Sequence, residues 1–161
     1  MTPAVTFLER AGVAHRVVAY PHDPAAESYG QEAAEALGVD PDVVFKTLVA
    51  AVEGGDHRSD HVVGIVPVDA RLDVKALASA SQAKRATMAE PADAERLTGY
   101  VRGGISPLGQ RKRLATFLDS SAKTVDLIYV SGGRRGLDIA LAPGDLVAVL
   151  DATYASIAVR G

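Results

Sequence analysis

Strand-like apolar runs outnumber helical ones along this chain, and the two kinds do not alternate. Residues 15–20, 45–52, 61–68, 115–118, 125–130, 137–141 and 154–159 are rich in β-branched and apolar residues. Helical stretches are short and punctuated. Thr2-Pro3 reads as a cap followed by proline at the first helical position, with Gly12 as the stop. Residues 31–37 end at Gly38, and residues 74–80, 91–97 and 143–150 are similar, the last two opened by proline. Regular strand–helix alternation would predict a doubly wound parallel sheet. Its absence predicts an α/β (α+β) domain with a mixed, barrel-like β-sheet flanked by short helices. Residues 45–52 and 61–68 are expected to form a hairpin around Glu53-Gly54-Gly55-Asp56.

At 161 residues, without a linker, repeat or low-complexity tract, residues 1–161 read as a single domain. Hydrophobic residues make up 48% and charged residues 23%, as in ordinary globular proteins. No apolar run approaches the ~20 residues of a membrane span. The first residues lack the basic segment and apolar core of a secretory signal, so the cytoplasm is the expected compartment and no membrane partner is expected. The chain has no cysteine, which excludes disulfides, a thiolate nucleophile and thiolate metal ligands. A net charge of −3 argues against gripping a long nucleic acid by bulk charge, but leaves a single-stranded end readable. Basic residues do cluster locally, at Lys84-Arg85, Arg111-Lys112-Arg113 and Arg134-Arg135.

The run Gly103-Gly104-Ile105-Ser106-Pro107-Leu108-Gly109-Gln110 packs three glycines and a proline into eight residues. Such a path permits close backbone approach, and its N–H groups could cradle an anion or a carbonyl oxygen. Lys46, at the start of an expected strand, is the natural cationic partner. Ser106 lacks a Gly-x-Ser-x-Gly setting and an evident histidine, so it reads as a turn residue. His57 and His61 are spaced for a metal only if helical, and no third ligand is evident, so neither metal nor cofactor is expected. No phosphate-loop or dinucleotide fingerprint occurs.

Four motifs in order, Phe45-Lys46-Thr47-Leu48, Thr98-Gly99-Tyr100, Gly103 to Gln110 and Val130 to Leu137, resemble the YbaK-type Cys-tRNA(Pro) deacylases. These are free-standing relatives of the editing domain of bacterial prolyl-tRNA synthetases. The resemblance spans nearly the whole chain and implies the same mixed-sheet architecture. It implies hydrolysis of mischarged Cys-tRNA(Pro), with Cys-tRNA(Cys) as a further substrate. The partners it implies are the CCA end of tRNA(Pro) and prolyl-tRNA synthetase. By residue, it implies a functional Lys46 and oxyanion donors at Gly103 and Gly104. Pocket residues would be Tyr20, Tyr29, Thr47, Tyr100, Ser131 and Asp138, with Asp138 meeting the substrate ammonium and Tyr20 and Tyr29 stacking on the terminal adenine. No protein nucleophile is evident, so the cysteine thiol or a water oriented by a ribose hydroxyl would attack the ester. Two readings stay open beside this one: an Ala-tRNA(Pro) deacylase, and a non-catalytic module that binds the tRNA acceptor end or a synthetase.

Overall fold

The computed structural model describes residues 1–26, 28–55 and 60–160. The chain runs α1 (Pro3–Ala11), β1 (Arg16–Ala19), α2 (Tyr29–Leu37), β2 (Phe45–Glu53), β3 (His61–Pro67), β4 (Arg71–Leu72), α3 (Val74–Ala80) and β5 (Arg85–Met88). It continues through α4 (Pro91–Thr98), β6 (Thr116–Asp119), β7 (Ile128–Arg134), β8 (Leu137–Leu141), α5 (Pro143–Leu150), β9 (Thr153–Ala155) and β10 (Ala158–Val159). The expected helix ends hold. Thr2 caps α1 through its Oγ1, which accepts from the Val5 N–H, and Gly12 and Gly38 close α1 and α2 in the left-handed conformation.

The strands form three sheets, ordered β5-β2-β3-β6-β9, β1-β8-β7 and β10-β4. The architecture is the mixed α/β fold expected, with the strands wrapped about a common core but not closed into a barrel. β3 lies at the centre of the large sheet, antiparallel to β2 and parallel to β6. Both of its faces are covered, so it is a nearly continuous apolar run rather than an alternating one. On one face, Val63 and Ile65 join Leu8, Leu118, Ile128, Ile139, Leu141 and Leu146 in the main core. On the other, Val62 and Val66 pack with Leu77 of α3 and Ile157.

The structure departs from the expected elements in several places, with α2 starting at Tyr29 and not at residue 31, and with β4 an unexpected strand. β5 has the polar sequence Arg-Ala-Thr-Met and no apolar pattern; it is an edge strand made by pairing with β2. β7 begins and ends later than expected, because Gly132-Gly133 form a bulge within the strand instead of terminating it. The expected strand over residues 154–159 is split into β9 and β10 by Asp119. This buried carboxylate accepts from the Ile157 and Ala158 N–H groups, both at 3.0 Å, and from Ser121 N–H at 3.2 Å. The chain is thereby handed from the large sheet to β4. Asp56 and His57, part of the expected hairpin loop and metal pair, lie outside the described residues.

Replacing Asp119 by alanine strands three backbone donors at the core margin. Urea unfolding of Asp119→Ala should show a loss of about 2–3 kcal/mol in stability, with Asp119→Asn losing less.

Candidate functional site

Val44, just before β2, makes an isolated parallel bridge to Tyr129 of β7, and among the described residues no ladder joins β2 to β7. A cleft of about 330 Å³ opens there. It is lined by Phe45–Leu48 from β2, Ser131 and Asp138 from the small sheet, Tyr20 after β1, the start of α2, and Arg102, Gly103 and Ile105.

Register explains the small-sheet contribution. Ser131 pairs directly with Asp138, and Asp138 with Val18, so the three share one face of the sheet. Tyr20 lies two residues beyond Val18, on the same side. Asp138 is only 5% exposed, and burial pushes its carboxyl up from 3.8 to about 7. Tyr20 is raised to about 12, first by burial and then by the nearby Asp138 and Glu32 charges. The Ser131 Oγ accepts from the Gly133 N–H at 3.1 Å, which ties it to the bulge.

From β2 come a cation and an unsatisfied hydroxyl. Lys46 is half-buried, and its pKa is lowered by burial, against which the charge of Asp69 acts to raise it. Thr47 is 7% exposed, and its Oγ1 has no hydrogen-bond partner. A buried hydroxyl left unpaired costs stability and is uncommon in native proteins, so its place on a cleft wall points to a ligand atom.

The glycine pair contributes differently from expectation. Gly103 adopts φ +85°, and the Gly104 N–H donates to the Val101 carbonyl at 2.9 Å, closing a turn of the type that needs positive φ at its third residue. The Gly104 donor is therefore spent, and of the two only the Gly103 N–H has no partner among the described residues. Gly104 serves by its size: a Cβ there would lie 2.7 Å from the Arg134 Cα. Tyr100 also lies outside the cleft lining. It is 4% exposed and its hydroxyl donates to the Leu108 carbonyl, strapping the glycine run from below. Ser106 is fully buried and accepts from the Leu108 N–H at 3.2 Å, a turn role.

Tyr29 is at the mouth with both neighbours in place. The Arg135 guanidinium sits 4.7 Å from its ring centre, and His22 lies 5.9 Å away at a 45° tilt. His22 is in turn held to Glu32 at 2.8 Å. Sequence reasoning missed Arg102, Ile105, Ser28, Gly30 and Val68 as lining residues. Gly30 alone carried a signal, being a glycine in the first turn of a helix; a Cβ there would meet Val68 Cγ1 at 2.4 Å.

Comparison with known proteins gives this cleft a family. Residues 22–149 match the aminoacyl-tRNA editing domain. The chain belongs to that family. EbsC of Enterococcus faecalis, named for Cys-tRNA(Pro)/Cys-tRNA(Cys) deacylation, is 37% identical over 130 residues, 81% of this chain and 77% of that protein. ProXp-y of Escherichia coli K12, named as a multifunctional Ser/Thr-tRNA deacylase, is 31% identical over 115 residues, 71% of this chain and 66% of that protein. A solved structure described as a trans-editing enzyme for prolyl tRNA synthetase superposes with a TM-score of 0.84. It is 25% identical to this chain, with 98% of this chain and 95% of that one covered. Among the described residues, no helix is long and apolar enough to cross a membrane.

Burial of Asp138 has a consequence that can be measured on this editing domain without substrate. The native carboxyl keeps its proton up to about pH 7, whereas the unfolded one loses it near 3.8. The native state thus binds more protons between those values, and stability falls as pH rises through the interval, then levels off. Thermal melts of wild type and Asp138→Asn across pH 4–8 should converge in acid, with the wild type falling behind toward neutrality.

Proposed function

We propose that this domain hydrolyses the aminoacyl ester of mischarged tRNA, with Cys-tRNA(Pro) as its main substrate. The observation that carries this reading is the convergence of Lys46 and Asp138 on one cleft whose lining includes no histidine. An aminoacyl ester has two features that such a pair matches: a polarisable carbonyl and a free α-ammonium. Lys46 polarises the carbonyl, and the Gly103 N–H adds a donor for the charge that develops on its oxygen. Asp138 receives the ammonium, and an arriving cation stabilises the ionised carboxylate that burial disfavours. Thr47 and Ser131 hydrogen-bond the aminoacyl group, while Tyr20 and Tyr29 flank the terminal nucleoside. Such a substrate places the enzyme in the cytoplasm.

No side chain of the cleft is a competent nucleophile, so the substrate supplies one. The cysteine thiol attacks its own ester carbonyl, the ribose oxygen leaves and takes the proton, and the released thiolactone is then hydrolysed by water. Alternatively a ribose hydroxyl orients water for direct attack. Either route draws on the high effective molarity of a group held in position. The 37% identity to EbsC favours cysteine. The Escherichia coli relative makes serine and threonine esters the second class to assay, and the Thr47 hydroxyl suits a β-hydroxyl as well as a thiol. Prolyl-tRNA synthetase is the partner that would supply tRNA identity.

Multiple-turnover deacylation of Cys-, Ala-, Ser-, Thr- and Pro-tRNA tests the reading directly. Cys-tRNA(Pro) should be consumed in molar excess over enzyme, and Lys46→Ala should lose at least about 100-fold in rate without loss of Tm. Normal turnover by a folded Lys46→Ala protein would end the assignment, and binding without turnover would leave a recognition module.

Thr47→Val separates ligand binding from folding. Removing an unsatisfied buried hydroxyl should leave stability equal or raise it by about 1 kcal/mol. The KM for the preferred ester should rise at the same time. A destabilised variant with unchanged KM would show that the hydroxyl serves the fold.

A further inference from the structure

Three arginines stand along one edge of the cleft, and among the described residues none of their guanidinium groups is in an ion pair. Arg102 lines the cleft, and Arg134 and Arg135 form the turn against which Gly103 and Gly104 pack. All three are exposed. Among the described residues, the ion pairs lie elsewhere: His22 with Glu32, Arg85 with Glu53, Arg96 with Asp93, and Arg160 with Asp42 and Asp69. Glu95 approaches this edge but accepts from the backbone N–H of Arg102 at 2.8 Å, not from its guanidinium. Gathering like charges without counter-charges costs free energy, and the turn between β7 and β8 does not need arginine to form.

One of the three is also held in place. The Arg135 Nε donates to the Arg102 carbonyl at 2.8 Å, and its guanidinium lies over the Tyr29 ring. Its Nη groups have no partner among the described residues. A guanidinium anchored through Nε presents its two remaining nitrogens as a planar fork, which matches two oxygens of a phosphate. Arg134 spends only one long contact, 3.4 Å, on the Arg135 carbonyl, and the Arg102 guanidinium spends none.

We propose that Arg102, Arg134 and Arg135 form a phosphodiester-binding rim that takes the backbone of an RNA 3′ end as its last nucleotide enters the cleft. The proposal rests on the deacylase reading above. With the ester carbonyl at Lys46 and the terminal nucleoside at the mouth, the next chemical group outward is the phosphodiester on the 5′ side of that nucleoside. The arginines occupy the edge over which it must pass. Because the chain as a whole is acidic at −3, attraction comes from this patch, which suits a short single strand better than a long duplex.

The test uses the full chain and an uncharged, fluorescently labelled RNA oligonucleotide ending in CCA. Its affinity is measured across a range of salt concentrations for wild type and for Arg102→Gln, Arg134→Gln and Arg135→Gln. Each variant should keep its Tm, bind about tenfold more weakly and lose about 0.7 from the slope of log affinity against log salt. In turnover, each should lose more on a cysteinyl RNA minihelix than on cysteinyl adenosine, which has no phosphate, by about fivefold or more. Unchanged RNA affinity and slope would overturn the rim, as would equal losses on the two esters. Competition by AMP or inorganic phosphate as effective as by the oligonucleotide would overturn the RNA assignment. Wild-type binding with the expected slope, but hydrolysis of neither ester, would overturn the deacylase reading and support the rim.

Discussion

Everything at the cleft depends on how closely two stretches of backbone approach each other. The loop at Gly103-Gly104 lies against the turn at Arg134-Arg135, and a single Cβ at residue 104 would fall 2.7 Å from a main-chain carbon and 2.9 Å from the next. Backbone cannot yield as a flexible side chain can, so any other residue would have to push the β7–β8 turn away from the glycine run. The approach is braced from several directions. Thr2 donates to the Gly132 carbonyl, the Tyr100 hydroxyl donates to Leu108, and Arg135 reaches back to Arg102. These contacts join the amino-terminal helix, the glycine run and the β7–β8 turn into one support. A cleft formed where two sheets part needs such a brace, because a few tenths of an ångström there would alter the spacing of the groups facing across it.

The polar groups of the site divide by whether the protein itself satisfies them. Ser131, on the wall, and Ser106 and Gly104, in the supporting glycine run, are paired internally. The Thr47 hydroxyl is buried without a partner, and Asp138 is buried without a counter-charge strong enough to keep its carboxyl in the usual range. Both are unfavourable in the empty protein and both face the cleft. A hydroxyl and a carboxyl of this kind on one cleft are groups whose polar demand a ligand can meet. Away from the cleft the Ser121 Oγ is likewise buried without a partner, whereas Asp119, equally buried, has its oxygens occupied by three backbone donors.

Much of this was legible in the residues, for reasons that differ from element to element. Four of the five helices, α1, α2, α4 and α5, announced themselves through a proline start, a glycine stop or both, which are local chemistry. The central strands were visible because β3 is covered on both faces and therefore apolar throughout. β5 was invisible, since Arg85–Met88 becomes a strand only by the accident of lying beside β2. Gly132-Gly133 were misjudged as a strand end because glycine marks both turns and bulges, and only the pairing of Ser131 with Asp138 and Arg134 with Leu137 distinguishes them. Within the site, motif resemblance led to Lys46, Thr47, Ser131 and Asp138, which the cleft does gather. It could not say that Tyr100 and Gly104 lie beneath the cleft as supports, because a motif records that a residue belongs to a site and not which way it faces.

The electrostatic logic of the proposed reaction follows from the same burial. A carboxylate in water would attract any cation, and would do so weakly. At Asp138 burial disfavours the charged form, so the carboxylate gains most from a ligand that can place its ammonium against the small sheet. A neutral ester of similar size would gain no such interaction. Lys46 faces the opposite constraint: burial weakens its hold on a proton while Asp69 outside the cleft strengthens it. A half-buried ammonium is less well hydrated than that of a surface lysine and so better able to act on a carbonyl oxygen. A substrate that offers both an ammonium and an adjacent ester satisfies the two groups at once, and an aminoacyl ester is the simplest molecule that does.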